Sequence, residues 1–130
     1  MADRNFPSPA GVKLNIMIMR VAFLVALLLG LGSMLHIFHF TIVTLDLHIA
    51  AGLIVAIVIW FLAISFSRRK SKGRGALWLA AVLMVIGGIV GLFFSITSRA
   101  LGIAHLIIMV VAMILAEMGA SAVLNSKKPA

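Results

Sequence analysis

The sequence predicts an all-α membrane protein built from four transmembrane helices. Of its 130 residues, 64% are hydrophobic and only 11% are charged, proportions well outside the range of soluble globular domains. The apolar residues form four continuous runs of about 20 residues, the helix length that crosses a ~30 Å hydrocarbon core. Spanning strands would instead show shorter stretches of alternating polarity, so helices are the better interpretation.

The four predicted spans are joined by short connections. They lie roughly at 20–42, 46–67, 76–97 and 100–124. A short link leaves each helix antiparallel to the one before it and beside it, which predicts an up-down-up-down bundle. The whole chain, residues 1–130, is then a single domain.

The basic residues set the predicted orientation. Nearly all of them lie before the first span, between the second and third, or after the fourth, and Arg99 is the exception. By the positive-inside rule we expect both termini and the loop 67–75 in the cytoplasm, in a multi-pass protein of a prokaryotic cell membrane. The net charge of +8 is confined to these membrane-flanking segments, where it meets anionic head groups. A nucleic-acid partner is therefore not expected.

All four histidines fall in the outer leaflet under this topology. His36 and His39 are expected on one face of the first helix near its outer end, while His48 opens the second helix and His105 lies near the start of the fourth. An imidazole in hydrocarbon needs a partner, so it usually faces the bundle interior as a ligand, a relay or a hydrogen-bonded packing element. A backbone hydrogen bond or an interfacial position explains any one of them, but four at one depth indicate a site.

His48 and His105 form a candidate pair of metal ligands. Diagonal helices of such a bundle are roughly 11–14 Å apart, given neighbouring axes ~8–10 Å apart, and two imidazoles with a metal ion between them about bridge that distance. A flat macrocycle also needs small residues around it, and Gly52 follows His48 by one turn while Gly91 lies near the depth of His105. The competing explanation is close helix packing through small residues four apart, as in Gly87 and Gly91.

Three stretches of the chain carry a family resemblance. They are LHIAAGLIVAIVIWFLAISFSRR, GRGALWLAAVLMVIGGIVGLFF and ALGIAHLIIMVVAMILAE. A His that opens the second helix, a basic loop, a glycine-bearing third helix and a GxxHL opening to the fourth resemble one half of a haem A synthase. They are similar more broadly to bacterial cytochrome b561-like proteins. The resemblance implies that His48 and His105 hold the iron of a haem b from both sides. Leu45 and Ile49 stand where haem A synthase has a Glu and an Arg, so its hydroxylase chemistry is not implied.

Three further outer residues are candidates for the same site. For His36 and His39 the alternatives are a second haem, a copper ion, a quinol site, hydrogen bonds to haem propionates, or packing at the interface. Met34 adds a sulfur nearby, but at two residues from His36 it points elsewhere. Arg99 is placed equally well to neutralise a propionate and to anchor its helix at the interface.

Two charges are expected in the inner half of the bundle. Glu117 is the only acid deep in a predicted span, and Arg20 lies at a similar depth on a neighbouring helix. An ion pair between them would relieve the cost of either charge alone. The alternative is a proton-relay or quinone role for Glu117.

These patterns predict a membrane b-type cytochrome. It would pass electrons between an outer-side donor and a quinone or a partner subunit through one or two bis-His haem b groups, as a carrier or a quinone-linked oxidoreductase. One alternative is an accessory subunit of a larger respiratory or photosynthetic complex, with histidines that only pack or bind a pigment. Another is copper handling by His36, His39 and Met34.

Overall fold

The computed structural model describes residues 8–67, 72–94 and 98–125. Within these ranges all regular structure is helical: α1 (Pro9–Met34), α2 (Ile42–Ser67), α3 (Arg74–Ile89), a π-helical segment (Val90–Phe94) that continues α3, and α4 (Arg99–Asn125). Four helices are long and apolar enough to cross a membrane, the third of them running from Arg74 to Phe93. The prediction of an all-α, multi-pass membrane protein is confirmed.

Most of the basic residues that set the predicted orientation lie outside the described residues. These are Arg4, Arg68, Arg69, Lys70, Lys127 and Lys128.

The first helix runs from Pro9 to Met34. Its start and its end therefore both come earlier in the chain than those of the predicted span 20–42. Pro9 occupies the first turn of α1, where its fixed φ suits a helix and its missing N–H is not needed. The hydroxyl of Ser8 caps this end by accepting a hydrogen bond from the Gly11 N–H at 3.1 Å. The span was predicted from the position at which the apolar run begins. The helix itself begins earlier, at the residue that follows its cap.

The C-terminus of α1 is closed by a Schellman motif. His36 has a left-handed φ of 59°, its N–H donates to the Ser33 carbonyl, and the Ile37 N–H donates to the Gly32 carbonyl at 2.9 Å. Glycine usually fills this position, and His is among the few other residues that tolerate it. His36 and His39 therefore lie in the connection 35–41, and the prediction that they share a helix face is wrong.

The second helix starts with a reciprocal cap between two threonines. The Thr44 N–H donates to Thr41 Oγ1 at 3.2 Å, and the Thr41 N–H donates to Thr44 Oγ1 at 2.8 Å. This is the arrangement of a capping box, with Thr in place of the usual Glu or Gln. Because the cap moves the start of α2 to Ile42, His48 lies in its second turn rather than at its opening.

The buried side chains concentrate at one end of the bundle. They occupy the first halves of α1 and α3 and the second halves of α2 and α4, and include Val12, Met19, Ile59, Leu62, Phe66, Leu77, Ala80, Ala116 and Val123. At the opposite end, among the described residues, only small residues such as Ala26, Ala51 and Gly87 are buried. His48 and His105 lie at this loosely filled end and are half-buried.

The helices associate most closely in two pairs. α1 packs mainly on α2 and α3 mainly on α4. Among the described residues, the diagonal helices α2 and α4 make few contacts and α1 and α3 make none. Along the second pair, a Cβ on Gly73 would meet Gly119, one on Gly87 would meet Met109, and one on Gly91 would meet His105. Each histidine thus faces the helix that precedes its own.

Candidate functional site

His48 is held by the main chain of α1. Its Nδ1 lies 2.9 Å from the carbonyl oxygen of Ala26. A carbonyl can only accept, so Nδ1 carries the proton and donates, and Nε2 of the neutral ring keeps its lone pair. The hydrogen bond fixes both the tautomer and the direction of the ring.

His105 is held in the same way by the main chain of α3. Its Nδ1 lies 2.7 Å from the carbonyl oxygen of Gly87, and the same reasoning leaves a lone pair on Nε2. Metal-ligating histidines almost always donate their second N–H to a carbonyl, a carboxylate or water. In their neutral form both imidazoles therefore have the tautomer and the hydrogen-bonded setting that ligation requires.

Glycine brings each imidazole close to the helix that holds it. A Cβ built on Gly30 would lie 3.0 Å from Cε1 of His48, and one built on Gly91 would lie 2.6 Å from Cε1 of His105. Each glycine follows the carbonyl residue of its helix, Ala26 or Gly87, by four positions. The ring, the carbonyl and the glycine of each pair form one compact unit.

The two helix pairs thus repeat one arrangement. In each, a carbonyl and a glycine four residues later support an imidazole from the next helix. In the sequence, the one sign of this repeat is that His48 and His105 each lie near the start of a helix. The stretches ALLLG (26–30) and GGIVG (87–91) share little beyond their last glycine. Because the supporting carbonyls belong to the main chain, no side chain in the sequence indicates them.

The two imidazoles meet between the helix pairs. Their ring centroids are 6.3 Å apart and the planes are inclined at 62°. When two opposed imidazoles bind one metal, bonds of about 2.0 Å and about 1.1 Å from each nitrogen to its ring centre place the centres about 6 Å apart. The observed separation of the ring centres is close to this distance, and the two rings contact each other edge to face.

The donor set suits a cofactor better than a bare metal ion. Within the part of the chain that the structure describes, no three His, Cys, Asp or Glu side chains lie close enough to hold an ion together. Two imidazoles alone complete the coordination of a haem, because the macrocycle supplies the four other donors.

Two glycines near the histidines leave room for a side chain. Gly52 precedes the buried Val55 by three residues and lies on the inward stripe of α2. Gly88 follows the buried Met84 by four residues and the exposed Val85 by three, so it lies at the edge of the inward stripe of α3. A Cβ built on either glycine would meet nothing within 4 Å. Gly52 was a predicted cofactor contact. For the adjacent Gly87 and Gly88, the sequence did not indicate which one packs against a neighbouring helix and which one has open space.

Phe40 covers His48 and was missed by the sequence argument. Its ring centroid lies 5.6 Å from that of His48, and the ring of Phe38 stacks edge-on against Phe40 while lying over Gly32. The signal was the FHF stretch (38–40) next to the histidines. These rings bring the connection 35–41 over the first two turns of α2.

Three predicted residues remain apart from the paired imidazoles. His36 and His39 are exposed, with ring centroids 6.4 Å apart, and no described ring contact joins either of them to His48 or His105. Arg99 is exposed at the start of α4, six residues before His105, which is about 9 Å along the helix axis.

The expected ion pair is present at the other end of the bundle. Arg20 Nε donates to Glu117 Oε1, and Arg20 Nη2 donates to Glu117 Oε2, both at 2.7 Å. The two parallel bonds form the fork-to-fork geometry that makes Arg–carboxylate pairs strong.

Comparison of the chain with protein-family models, curated proteins and solved structures gives no match. The resemblance to haem A synthase and cytochrome b561-like proteins has no support from them. The function is therefore argued from the geometry of the site.

Proposed function

We propose that this protein is a membrane b-type cytochrome that binds one haem b between His48 and His105. The observation that carries the proposal is the matched pair of imidazoles. Each donates its Nδ1 proton to a main-chain carbonyl, and the two rings stand 6.3 Å apart. Their Nε2 lone pairs are the axial ligands in this proposal.

The surrounding residues serve the same purpose. Gly52 and Gly88 leave the room that the edges of a flat macrocycle need, and Phe40 shields the His48 side from water. A haem with both axial positions filled by protein exchanges single electrons by an outer-sphere route and does not bind oxygen. The chain's own task is to hold the iron, exclude water and fix the distance to the outer surface.

The contacts between helices support an up-down-up-down bundle. Arg20 meets Glu117 at one end, and His48 meets His105 at the other. With the basic segments on the cytoplasmic side, both termini lie in the cytoplasm and the haem lies in the outer leaflet. Electrons would pass between an outer-side donor and a quinone or partner subunit in a prokaryotic cell membrane.

An accessory subunit with merely packed histidines is the weaker proposal. Packing accounts for the two Nδ1 hydrogen bonds, but it gives no reason for the same carbonyl and glycine support to recur around both imidazoles. The copper alternative is also weaker, because His36 and His39 are exposed and the described residues add no third His, Cys, Asp or Glu ligand to them.

A redox spectrum of the purified protein, supplied with haem during expression, tests the proposal. We expect a Soret band and a sharpened α band on reduction with dithionite, and both lost in His48→Ala and His105→Ala. His36→Ala and His39→Ala are the matched controls and should keep the spectrum. A colourless protein, or bands that survive both site variants, would contradict the proposal.

A second variant separates ligand loss from misfolding. His48→Gly leaves a gap where the imidazole stood, and free imidazole in the buffer can occupy the vacated position on the iron. We expect the low-spin spectrum to return with added imidazole in His48→Gly. A spectrum that imidazole never restores, in a variant that stays helical, would argue against ligation by His48.

A further inference from the structure

The Arg20–Glu117 ion pair is exposed at a depth where a membrane helix meets lipid. The Arg20 side chain is 62% exposed and that of Glu117 is 26% exposed. Arg20 lies eleven residues after Pro9, and Glu117 lies eight residues before Asn125, or about 16 Å and 12 Å from those helix ends. A ~30 Å hydrocarbon core centred on these helices would include both positions.

The pair keeps unused hydrogen-bonding capacity. A guanidinium has five N–H donors, of which two go to Glu117, and each carboxylate oxygen can accept a second bond. Within the described residues neither side chain makes any other hydrogen bond. Polar groups in hydrocarbon require partners, and charged ones normally face protein or a water-filled cavity.

The helix that carries Arg20 also has the freest surface in the bundle. α1 is the least buried of the four spans. Its outward residues recur at intervals of three and four, and each is more than half exposed: Leu14, Met17, Val21, Leu24 and Leu28. In this register Arg20 stands at a flanking position, where interhelical charge pairs form in coiled coils. We call Arg20, Glu117 and these five residues the α1 face.

We propose that the α1 face is the contact between two copies of this chain. The Arg20–Glu117 pair offers both spare donors and spare acceptors, so it is complementary to itself. A two-fold axis along the membrane normal keeps both copies in one orientation and sets the two pairs at the same depth. The four charges then satisfy one another, which a phospholipid head group could not do inside the hydrocarbon core. This inference does not depend on the haem.

A charge exchange between differently tagged copies tests the contact. Arg20→Glu gives a chain with two acids, and Glu117→Arg gives a chain with two bases. In lipid nanodiscs we expect wild-type copies to co-purify as dimers and each single variant to lose at least tenfold in co-purification. The two variants expressed together should recover it, because each supplies what the other lacks.

The single-chain double variant Arg20→Glu/Glu117→Arg is the folding control. It restores an intramolecular pair and should also dimerise. If the double variant behaves as wild type while the mixed single variants show no recovery, the pair acts within one copy and the proposal fails.

Cysteine cross-linking tests the same surface with the ion pair intact. The chain has no cysteine, so Val21→Cys places one thiol on the α1 face, and Ile57→Cys is a control on α2. These side chains are 59% and 66% exposed. We expect a covalent dimer from Val21→Cys only. Equal cross-linking of both, no cross-linking of Val21→Cys, or a single-copy mass for the wild type in nanodiscs would overturn the proposal, as would assembly only with a different protein.

Discussion

Glycines around the two imidazoles serve two different purposes. At Gly30 and Gly91 a Cβ would lie 3.0 Å and 2.6 Å from the ring of His48 and His105, so these glycines admit a side chain. At Gly52 a Cβ would meet nothing within 4 Å. From the sequence alone, glycines that admit a side chain cannot be distinguished from glycines that leave open space. Both also resemble the small residues found where membrane helices pack closely. Only the three-dimensional contacts separate them, and they lead to opposite expectations for substitution.

Gly91→Ala should displace His105. The new methyl group would lie 2.6 Å from Cε1 of His105, which is closer than two non-bonded carbon atoms can approach. The ring or the π-helical segment must therefore shift, and the hydrogen bond to Gly87 weakens. We expect loss of most of the bound haem, measured by absorbance per mole of protein. Gly75→Ala is the matched control, since a Cβ there meets nothing within 4 Å and alanine favours a helix by about 0.5–1 kcal/mol. Equal haem content in both variants would show that the Gly91 contact does not matter.

Gly52→Leu tests the open space directly. Its Cβ would meet nothing within 4 Å, so the helices should remain. The rest of the side chain would take up room beside His48, so haem affinity should fall at least about tenfold, or ~1.4 kcal/mol. Circular dichroism and haem titration measure the two effects separately. If Gly52 instead faced lipid, leucine would leave haem binding unchanged.

His36→Gly should stabilise the end of α1. A non-glycine residue in a left-handed conformation costs on the order of 1 kcal/mol, and glycine is the preferred residue at this position of a Schellman motif. We expect a gain of roughly 0.5–1 kcal/mol in unfolding free energy with an unchanged haem spectrum. His39→Gly is the control without a positive φ, and it should give no gain. A loss of stability in His36→Gly would indicate that its imidazole makes a needed contact.

At the scale of the helix, composition predicted that four helices exist, but it predicted their first and last residues less well. Continuous apolar runs indicated four spans because each run had to bury its backbone polar groups in helices. The end of α1 could not be read, since the apolar residues continue past Met34 and the turn depends on His36 adopting a conformation typical of glycine. The start of α2 was also displaced, because two threonines form a cap without the usual acidic signature.

That cap controls the helix on which His48 lies. Thr41→Ala removes the two hydrogen bonds of its hydroxyl, one from the Thr44 N–H and one with the Thr44 hydroxyl. This loss should cost about 1 kcal/mol and fray the first turn of α2. We expect faster amide hydrogen exchange over 42–48 and weaker haem binding. Thr41→Ser keeps a hydroxyl at the same place and should behave as wild type; similar exchange in the alanine and serine variants would show that the cap is dispensable.

At the scale of the molecule, the sequence could indicate the two candidate ligands but not their support. His48 and His105 stood out because an imidazole is rare on an apolar helix. The carbonyls of Ala26 and Gly87 have no side-chain signature, and the ring of Phe40 reaches His48 only because the connection 35–41 folds back. The uneven packing of the bundle also followed from no local pattern, since apolar residues fill both ends of every helix.

This uneven packing predicts how haem would change the whole molecule. The buried core joins all four helices at one end, whereas His48 and His105 make the described ring contact between the helix pairs at the other. A haem ligated by both would fasten α2 to α4, which otherwise make few contacts. At a concentration 100 times its Kd it should stabilise the fold by about 2.7 kcal/mol.

Hydrogen exchange with and without haem locates that stabilisation. Protection should rise in the histidine-bearing ends, 42–51 and 99–108, and change little in 55–66 and 112–123, where the core is already closed. His105→Ala should abolish the difference. Uniform protection along every helix would mean that haem closes the bundle globally, and no added protection at the histidine end would mean that the two imidazoles do not hold it.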